Sequence, residues 1–129
     1  MAQIKIYGYR QHLEPIQQKL SNVLHNCVVD TLQYPQDKRF HRFVKLDDGD
    51  FYYGSGRSEQ YTIIEISIFE GRSISVKKAL IRAIFRQFES ELDISPNDVE
   101  ITIFETPRHN WGIRGKVGDE LDLDYKVDV

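Results

Sequence analysis

The residues between Tyr61 and Phe69 alternate strictly between two sets of side chains. One set is apolar apart from a threonine at its start and comprises Thr62, Ile64, Ile66 and Ile68. The other set includes a carboxylate and a hydroxyl, from Glu65 and Ser67. A period of two residues with β-branched side chains on one side predicts a strand with one buried face. The strand ends near Gly71, and Arg72 separates it from a predicted helix. A cation at a strand end favours a ligand site there.

Similar alternation predicts three more main strands, at residues 3–9, 40–46 and 99–104, and a short aromatic strand at 51–53. Helical spacing of apolar residues predicts one helix that starts at Leu13–Pro15 and ends before Tyr34-Pro35. A second helix is predicted after Ser73 or Ser75, whose hydroxyl would cap it. The last residues, 119–129, alternate again and predict a C-terminal strand.

The order strand–helix–strand occurs twice, in pseudo-repeats at about residues 2–50 and 60–118. Such units pair parallel strands and cover one face of a sheet with helices. We therefore expect a single α+β domain over residues 1–129, with a four-stranded mixed sheet and two helices on one face. The second face carries aromatic residues with no predicted cover, which favours self-association. The strand at 119–129 is then expected to pack on a neighbouring subunit.

Composition narrows the function classes. The chain has 129 residues, a formal net charge of −3 and one cysteine, Cys27. An acidic balance disfavours a nucleic-acid backbone as partner, and no apolar run has the length of a membrane span. A single cysteine excludes an intramolecular disulfide and fits a cytoplasmic protein. The histidines and Cys27 lack metal-ligand spacing, so no metal is expected.

Three architectures satisfy this order of elements: a ferredoxin-like domain, a dimeric barrel of the antibiotic-monooxygenase type, and the tautomerase fold. The RNA-binding version of the ferredoxin-like domain is disfavoured by the net charge. It is also disfavoured because the central strands lack its aromatic signature.

Three motifs distinguish among these architectures: Pro35-x-x-x-Arg39-Phe40, Arg72-Ser73 at the start of the second helix, and Asn110-Trp111-Gly112-Ile113 before a glycine-rich turn. In their order and spacing they resemble the tautomerase superfamily, with the 4-oxalocrotonate tautomerase and macrophage migration inhibitory factor fold. The resemblance is strongest to the malonate semialdehyde decarboxylase-like branch. It implies a homotrimer, a small carboxylate-bearing carbonyl compound as substrate, and no metal or organic cofactor.

Members of this superfamily use an amino-terminal proline, exposed by removal of methionine, as the acid or base. Ala2 occupies that position here, so a primary amine would replace the proline if Met1 is removed. The reference pKa of an α-amino group is about 7.7–8.0. The resemblance assigns Arg72 to the substrate carboxylate. A second family arginine is replaced by Glu70, and an aspartate of the branch is replaced by Lys38.

The resemblance also places Trp111 and Ile113 in the apolar wall of the pocket. Lys38 is a candidate anion ligand or, if desolvated, a base, and Arg39 and Arg114 are further candidate ligands. His109, two residues from Trp111, is a candidate site residue that could act as an acid or base. The sequence thus favours an enzyme with weak or altered tautomerase-like activity. The alternatives are a catalytically silent trimer that binds a small anion or a protein partner, and a ferredoxin-like ligand-sensing module.

Overall fold

The computed structural model describes residues 2–123 and 125–129; Met1 and Asp124 lie outside the described residues. The long elements follow the predicted order: β1 Ala2–Tyr9, α1 Arg10–Leu32, β2 His41–Leu46, β3 Thr62–Phe69, α2 Ile74–Leu92 and β4 Val99–Thr106. Three short 3-10 turns lie at Pro96–Asp98, Arg108–Asn110 and Gly118–Glu120. A small hairpin, β5 Gly112–Ile113 and β6 Lys116–Val117, lies between the last two turns.

The main sheet has the strand order β2-β1-β3-β4. Each βαβ half contributes a parallel pair, β1 with β2 and β3 with β4, and the halves meet through antiparallel β1 and β3. This confirms the predicted α+β fold with a mixed four-stranded sheet. The antiparallel junction has one consequence for function, because it brings the start of β1 to the end of β3.

The core lies between the sheet and the two helices. Five isoleucines of β1 and β3 are buried against one side of each helix. The residues that meet there are Ile4, Ile6, Ile64, Ile66, Ile68, Leu20, Leu24, Leu80, Ile84 and Phe88. Full burial of one such side chain stabilises the fold by about 1.5–3 kcal/mol. Cys27 belongs to this core, as predicted, and burial raises the pKa of its thiol to about 11.

The second face of the sheet is only partly covered. Phe104 on β4 remains 47% exposed, whereas Phe69 on β3 is fully buried. The difference arises because Trp111 and the C-terminal residues pack on Phe69. Glu65, on the same face, accepts a hydrogen bond from the Tyr7 hydroxyl at 2.6 Å, so its carboxylate has a partner within its own chain.

Helix α1 begins three residues earlier than predicted, at Arg10, and Pro15 lies inside it. Leu13 is fully buried, and its Cγ atom lies 3.1 Å from the place a Cβ atom would take on Gly8. This packing holds the first turn against the sheet. The Gln11 carbonyl loses its usual donor because proline has no N–H, but Gln11 is exposed to water.

The predicted strand at residues 51–53 is wrong. These residues lie in an irregular loop, where Phe51 and Tyr53 pack their rings against Tyr9 and Tyr61 at centroid distances of 5.4–6.2 Å. Aromatic side-chain contacts therefore fix this segment in place of backbone pairing. In the described residues no helix has both the length and the apolar character needed to cross a membrane.

The described part of residues 119–129 contains a short turn and irregular backbone, so the expected C-terminal strand is not formed in the single chain. Its alternating apolar side chains pack on their own subunit instead. Leu121 and Val127 are buried, and Val127 contacts Phe69. Burial of the apolar side chains leaves no need for a strand partner within the chain. Packing of this segment on a neighbouring subunit stays a prediction.

Candidate functional site

The candidate site lies where three strand ends meet at one edge of the sheet. Ala2, the first residue of β1, pairs with Ile68 near the end of β3. Phe69, the last residue of β3, pairs with Thr106 at the end of β4. Residues 70–73 connect β3 to α2, and they include Gly71 and Arg72. The candidate site therefore lies at this short connection, where the sequence analysis expected a ligand site because of Arg72.

Arg72 is buried at this edge, with only 4% of its surface exposed. Its Nη1 atom donates to the Phe69 carbonyl oxygen at 3.3 Å. Ser73 follows as the N-cap of α2, and its hydroxyl accepts from the Val76 amide at 3.2 Å. Because the cap fixes the start of the helix, it also fixes the backbone from which the Arg72 side chain extends.

Two donors of the Arg72 guanidinium, Nε and Nη2, are buried and have no hydrogen-bond partner among the described residues. A buried donor without a partner costs about 1–3 kcal/mol, and more when it is charged. Burial lowers the pKa of Arg72. Tyr125, Tyr34, Glu105 and Asp128 act in the opposite direction through their negative forms. A planar guanidinium with two unused donors matches a carboxylate that accepts both.

The nitrogen of Ala2 also lies in this buried region. Ala2 and Tyr34 are both 3% exposed, and the Ala2 N–H donates to the Tyr34 hydroxyl oxygen at 3.0 Å. Met1 precedes Ala2 in the sequence, so this nitrogen is a peptide N–H that donates but does not accept a proton. Removal of Met1 would convert it to an amine beside the same hydroxyl.

The C-terminal segment, residues 121–129 without Asp124 and called the tail below, covers the site. The Ser73 amide donates to the Val129 carbonyl oxygen at 2.9 Å. A Cβ atom on Gly71 would lie 2.7 Å from Asp128 Oδ1 and 2.9 Å from Val127 Cγ1. Gly71 therefore permits a close approach of the tail to the β3–α2 connection. Arg72, between Gly71 and Ser73, is almost fully buried, so a substrate reaches its guanidinium only if the structure around it opens.

Tyr125 of the tail links Tyr34 with Lys38. Its ring packs edge-on against Tyr34 at a centroid distance of 5.1 Å. Lys38 Nζ lies 5.1 Å from the centroid of the same ring, in the range of a cation–π contact. Lys38, which the sequence proposed as an anion ligand, therefore lies beside the cluster of Ala2, Tyr34 and Arg72.

Trp111 and Ile113 reach the same end of the sheet through the hairpin loop. The Trp111 ring packs edge-on against Phe69 at 5.0 Å, and Ile113 joins the apolar cluster around Phe69 and Val127. Arg108 holds this loop to the tail by donating to the carbonyl oxygens of Gly118 and Leu121, each at 3.0 Å. These apolar residues lie beside Arg72 in the fold, where a pocket wall was expected.

Three other predicted ligands have no described contact with this cluster. Arg39 is exposed and donates to Asn22 Oδ1 at 2.6 Å, beside Ser21 and His41 in a hollow between α1 and β2. His109 is exposed in its 3-10 turn. Arg114 is exposed in the β5–β6 turn, with φ at +52°. In the single chain the structure brings together Ala2, Lys38 and Arg72, with Trp111 and Ile113 nearby.

Sequence reasoning missed Tyr34, Tyr125 and Arg108. Tyr34 served only as the residue before a helix-ending proline, and Tyr125 as one apolar position of an alternating strand. The position of Tyr34 in the sequence could have indicated its place in the site. Tyr34 begins the same loop as Lys38, and an aromatic residue with a hydroxyl seeks a hydrogen-bond partner when it is buried.

Comparison with known proteins gives a consistent result. The model of the family described as "Tautomerase enzyme" matches residues 38–114. The probable tautomerase YusQ of Bacillus subtilis (strain 168) is 26% identical over 99 residues, which cover 73% of this chain and 78% of YusQ.

Two solved structures have the same architecture. Malonate semialdehyde decarboxylase superposes with a TM-score of 0.79 at 22% identity, over 88% of this chain and 92% of that chain. A fused 4-OT described as a wild-type asymmetric trimer gives the same TM-score and identity, over 91% of this chain and 96% of that one. At these identities the likeness shows the fold.

Proposed function

Because this chain belongs to the tautomerase family, we propose that it catalyses a cofactor-independent proton transfer on a small carbonyl compound that carries a carboxylate. Keto–enol tautomerisation is the simplest reaction of this class, and decarboxylation or hydration are related ones. The observation that carries the proposal is the pair of donors on buried Arg72 that have no hydrogen-bond partner within the part of the chain that the structure describes. Their desolvated position strengthens the attraction to an anion.

In this proposal Arg72 binds the substrate carboxylate through Nε and Nη2. Trp111 and Ile113 exclude water around the reacting carbon, and Lys38 adds positive charge at the opening. The residue 2 nitrogen moves the proton when Met1 has been removed, as the family's terminal proline does. Exclusion of water matters because the field of Arg72 acts with little screening in a dry site.

We further propose a homotrimer. The partly uncovered sheet face, the exposed ring of Phe104 and the trimeric fused 4-OT support self-association. In such an assembly the tail could leave the β3–α2 connection of its own subunit and pack on a neighbour. That movement would open the way to Arg72.

A second candidate is a catalytically silent protein that binds a small carboxylate. The hydrogen bond from the Ala2 N–H to Tyr34 favours it, because a peptide nitrogen is not a base. In this case Arg72 would still bind the anion, and no proton would be transferred by residue 2.

The test is a tautomerisation assay with 2-hydroxymuconate and phenylpyruvate on protein whose intact mass has been measured. We expect turnover above buffer, and a decrease in kcat/KM of about 10- to 150-fold in Arg72→Ala, because a lost hydrogen bond to a charged group costs about 1.5–3 kcal/mol. Arg82→Ala, which removes an exposed arginine from the helix that follows Arg72, is the matched control and should retain wild-type kinetics.

Calorimetry with the same carboxylates separates the two candidates. Carboxylate binding that is lost in Arg72→Ala, without turnover in the wild type, supports the silent binder. A wild-type protein that shows no turnover and binds none of these carboxylates would contradict both candidate functions.

A further inference from the structure

The direction of the hydrogen bond between Ala2 and Tyr34 has a chemical consequence. The Ala2 N–H is the donor, so the Tyr34 oxygen is the acceptor and its own proton is not used in this bond. A phenol oxygen that accepts a hydrogen bond holds negative charge more easily, because the donor stabilises the anion. The Ala2 N–H would therefore stabilise a Tyr34 phenolate, and it can do so with Met1 present.

The charge of Arg72 acts in the same direction. Arg72 lies within electrostatic range of Tyr34 and Tyr125, and a cation near a phenol favours the phenolate. Lys38 contacts the ring of Tyr125 and so lies at the margin of the same cluster. Glu105 and Asp128 also act on Arg72 and partly offset its charge. Within the described surroundings, Tyr34 combines a bond to the residue 2 nitrogen with nearness to the proposed anion ligand.

We propose that Tyr34 is a catalytic acid–base of this site and that its hydroxyl, rather than the residue 2 nitrogen alone, exchanges the proton with the substrate. This inference rests on the proposed function. The tail packs on Tyr34 through Tyr125, and through Val127–Val129 it lies against Gly71 and Ser73, the two neighbours of Arg72 in the chain. A single movement of the tail would therefore loosen the surroundings of the carboxylate ligand and of the acid together.

The step balances for an enol that becomes a ketone. The C=C π electrons of the enol take the proton of the Tyr34 hydroxyl, which forms a C–H bond and leaves a phenolate. The enol O–H electrons form the C=O bond, and the enol proton returns to the phenolate oxygen. No oxidant, reductant or second reactant is needed. The Ala2 N–H and Arg72 stabilise the phenolate while it exists.

The test uses Tyr34→Phe, which keeps the ring that packs against Tyr125 and removes the hydroxyl. With 2-hydroxymuconate we expect kcat to fall by about 100-fold or more, because general acid–base catalysis contributes about 10²–10⁴-fold. We expect KM to stay within about threefold because Arg72 is untouched. The wild-type dependence of kcat on pH should also flatten in the variant, which a change in packing alone would not produce.

Tyr61→Phe is the matched control. Tyr61 is a buried tyrosine at the other end of β3, and its hydroxyl donates to Glu100 at 2.9 Å. This variant should keep kcat and KM within about threefold of the wild type. Protein with and without Met1, identified by intact mass, should show comparable sensitivity to Tyr34→Phe.

The outcomes separate this inference from the proposed function. A Tyr34→Phe variant with near wild-type kcat in an active enzyme overturns the role of Tyr34 and leaves the proposed function intact. Activity confined to protein without Met1 and unaffected by Tyr34→Phe also overturns the role of Tyr34, and it assigns the proton transfer to the amine. A wild type without turnover on these substrates overturns both.

Discussion

At the scale of single residues, Arg72 is the costly feature of this fold. It buries a guanidinium with two donors that bond none of residues 2–123 and 125–129, although an apolar side chain of similar length would fill the same space. Proteins carry such destabilising groups where function requires them. A single substitution of Arg72 should therefore increase the stability of the fold and abolish anion binding.

We predict that Arg72→Met raises the free energy of unfolding by about 1–2 kcal/mol, because it removes buried donors without partners and keeps most of the side-chain volume. Urea denaturation measures this change. Addition of pyruvate should stabilise the wild type, since a ligand that binds only the folded state shifts the equilibrium, and should leave the variant unchanged. A variant that is less stable by about 1 kcal/mol, the net contribution of an ordinary hydrogen bond, would show that Nε and Nη2 of Arg72 also have partners in the folded protein.

At the scale of elements, the contact between α1 and β2 should make stability depend on pH. His41 on β2 bonds Ser21 on α1 at 2.8 Å through Nδ1, and its ring lies 5.9 Å from His25. Burial, followed by His25 and Arg39, lowers the pKa of His41 from 6.5 to about 4. At a pH between these two pKa values, His41 is protonated in the unfolded chain and neutral in the folded chain.

We accordingly expect stability to fall as pH decreases from about 6.5 to 4, and the contribution of His41 to level off below that range. One pKa unit corresponds to about 1.4 kcal/mol, and the ring is only partly buried, so we expect about 1–2 kcal/mol in total. Urea denaturation of the wild type and His41→Gln at about pH 7, 5.5 and 4.5 measures this. Equal pH dependence in both proteins would assign the effect to other groups, such as His12, whose pKa burial also lowers.

The tail and the β3–α2 connection form a second pair of elements with a testable contact. Gly71 has φ at +135°, and a methyl group there would meet Asp128 and Val127. Gly71→Ala should therefore displace the tail and destabilise the fold by about 1–2 kcal/mol. We expect the Ser73 amide, which donates to Val129, to exchange hydrogen about tenfold faster. Gly112→Ala, where a methyl group meets nothing within 4 Å, is the control. Unchanged protection of Ser73 would mean that the tail does not depend on this contact.

The elements that could be predicted from the sequence are those with one side buried in the core, because burial imposes a regular spacing of apolar residues. The isoleucines of β3 and the apolar side of α2 led to the correct strand and helix, because burial against one core enforces these periods. The segment 51–53 and the tail have apolar residues that are satisfied by contacts distant in sequence, with Tyr9 and Tyr61 or with Phe69. Local alternation carries no information about such contacts.

The same limit applies to the site. Arg72 follows a strand that has a strong local pattern, so its place could be predicted. Tyr34 faces the Ala2 nitrogen because β1 and β2 pair in parallel, so that the loop between α1 and β2 returns to the start of β1. A separation of 32 residues between the two partners leaves no local signal in the sequence.

At the scale of the whole molecule, the uncovered sheet face leads to the last prediction. Phe104 lies on this face, opposite Ser67, and its exposed ring is the kind of surface that a subunit interface buries. If this face forms the proposed trimer, Phe104→Glu would bury three carboxylates near one another, and each unpaired charge costs several kcal/mol. We expect light scattering to give three times the chain mass of 15.2 kDa for the wild type and a single chain for the variant. Ile74→Glu, which places the same charge at an apolar residue 70% exposed at the start of α2, should remain trimeric. A monomeric wild type would contradict the trimer. A Phe104→Glu variant that remains trimeric would show that the interface lies on another face of the subunit.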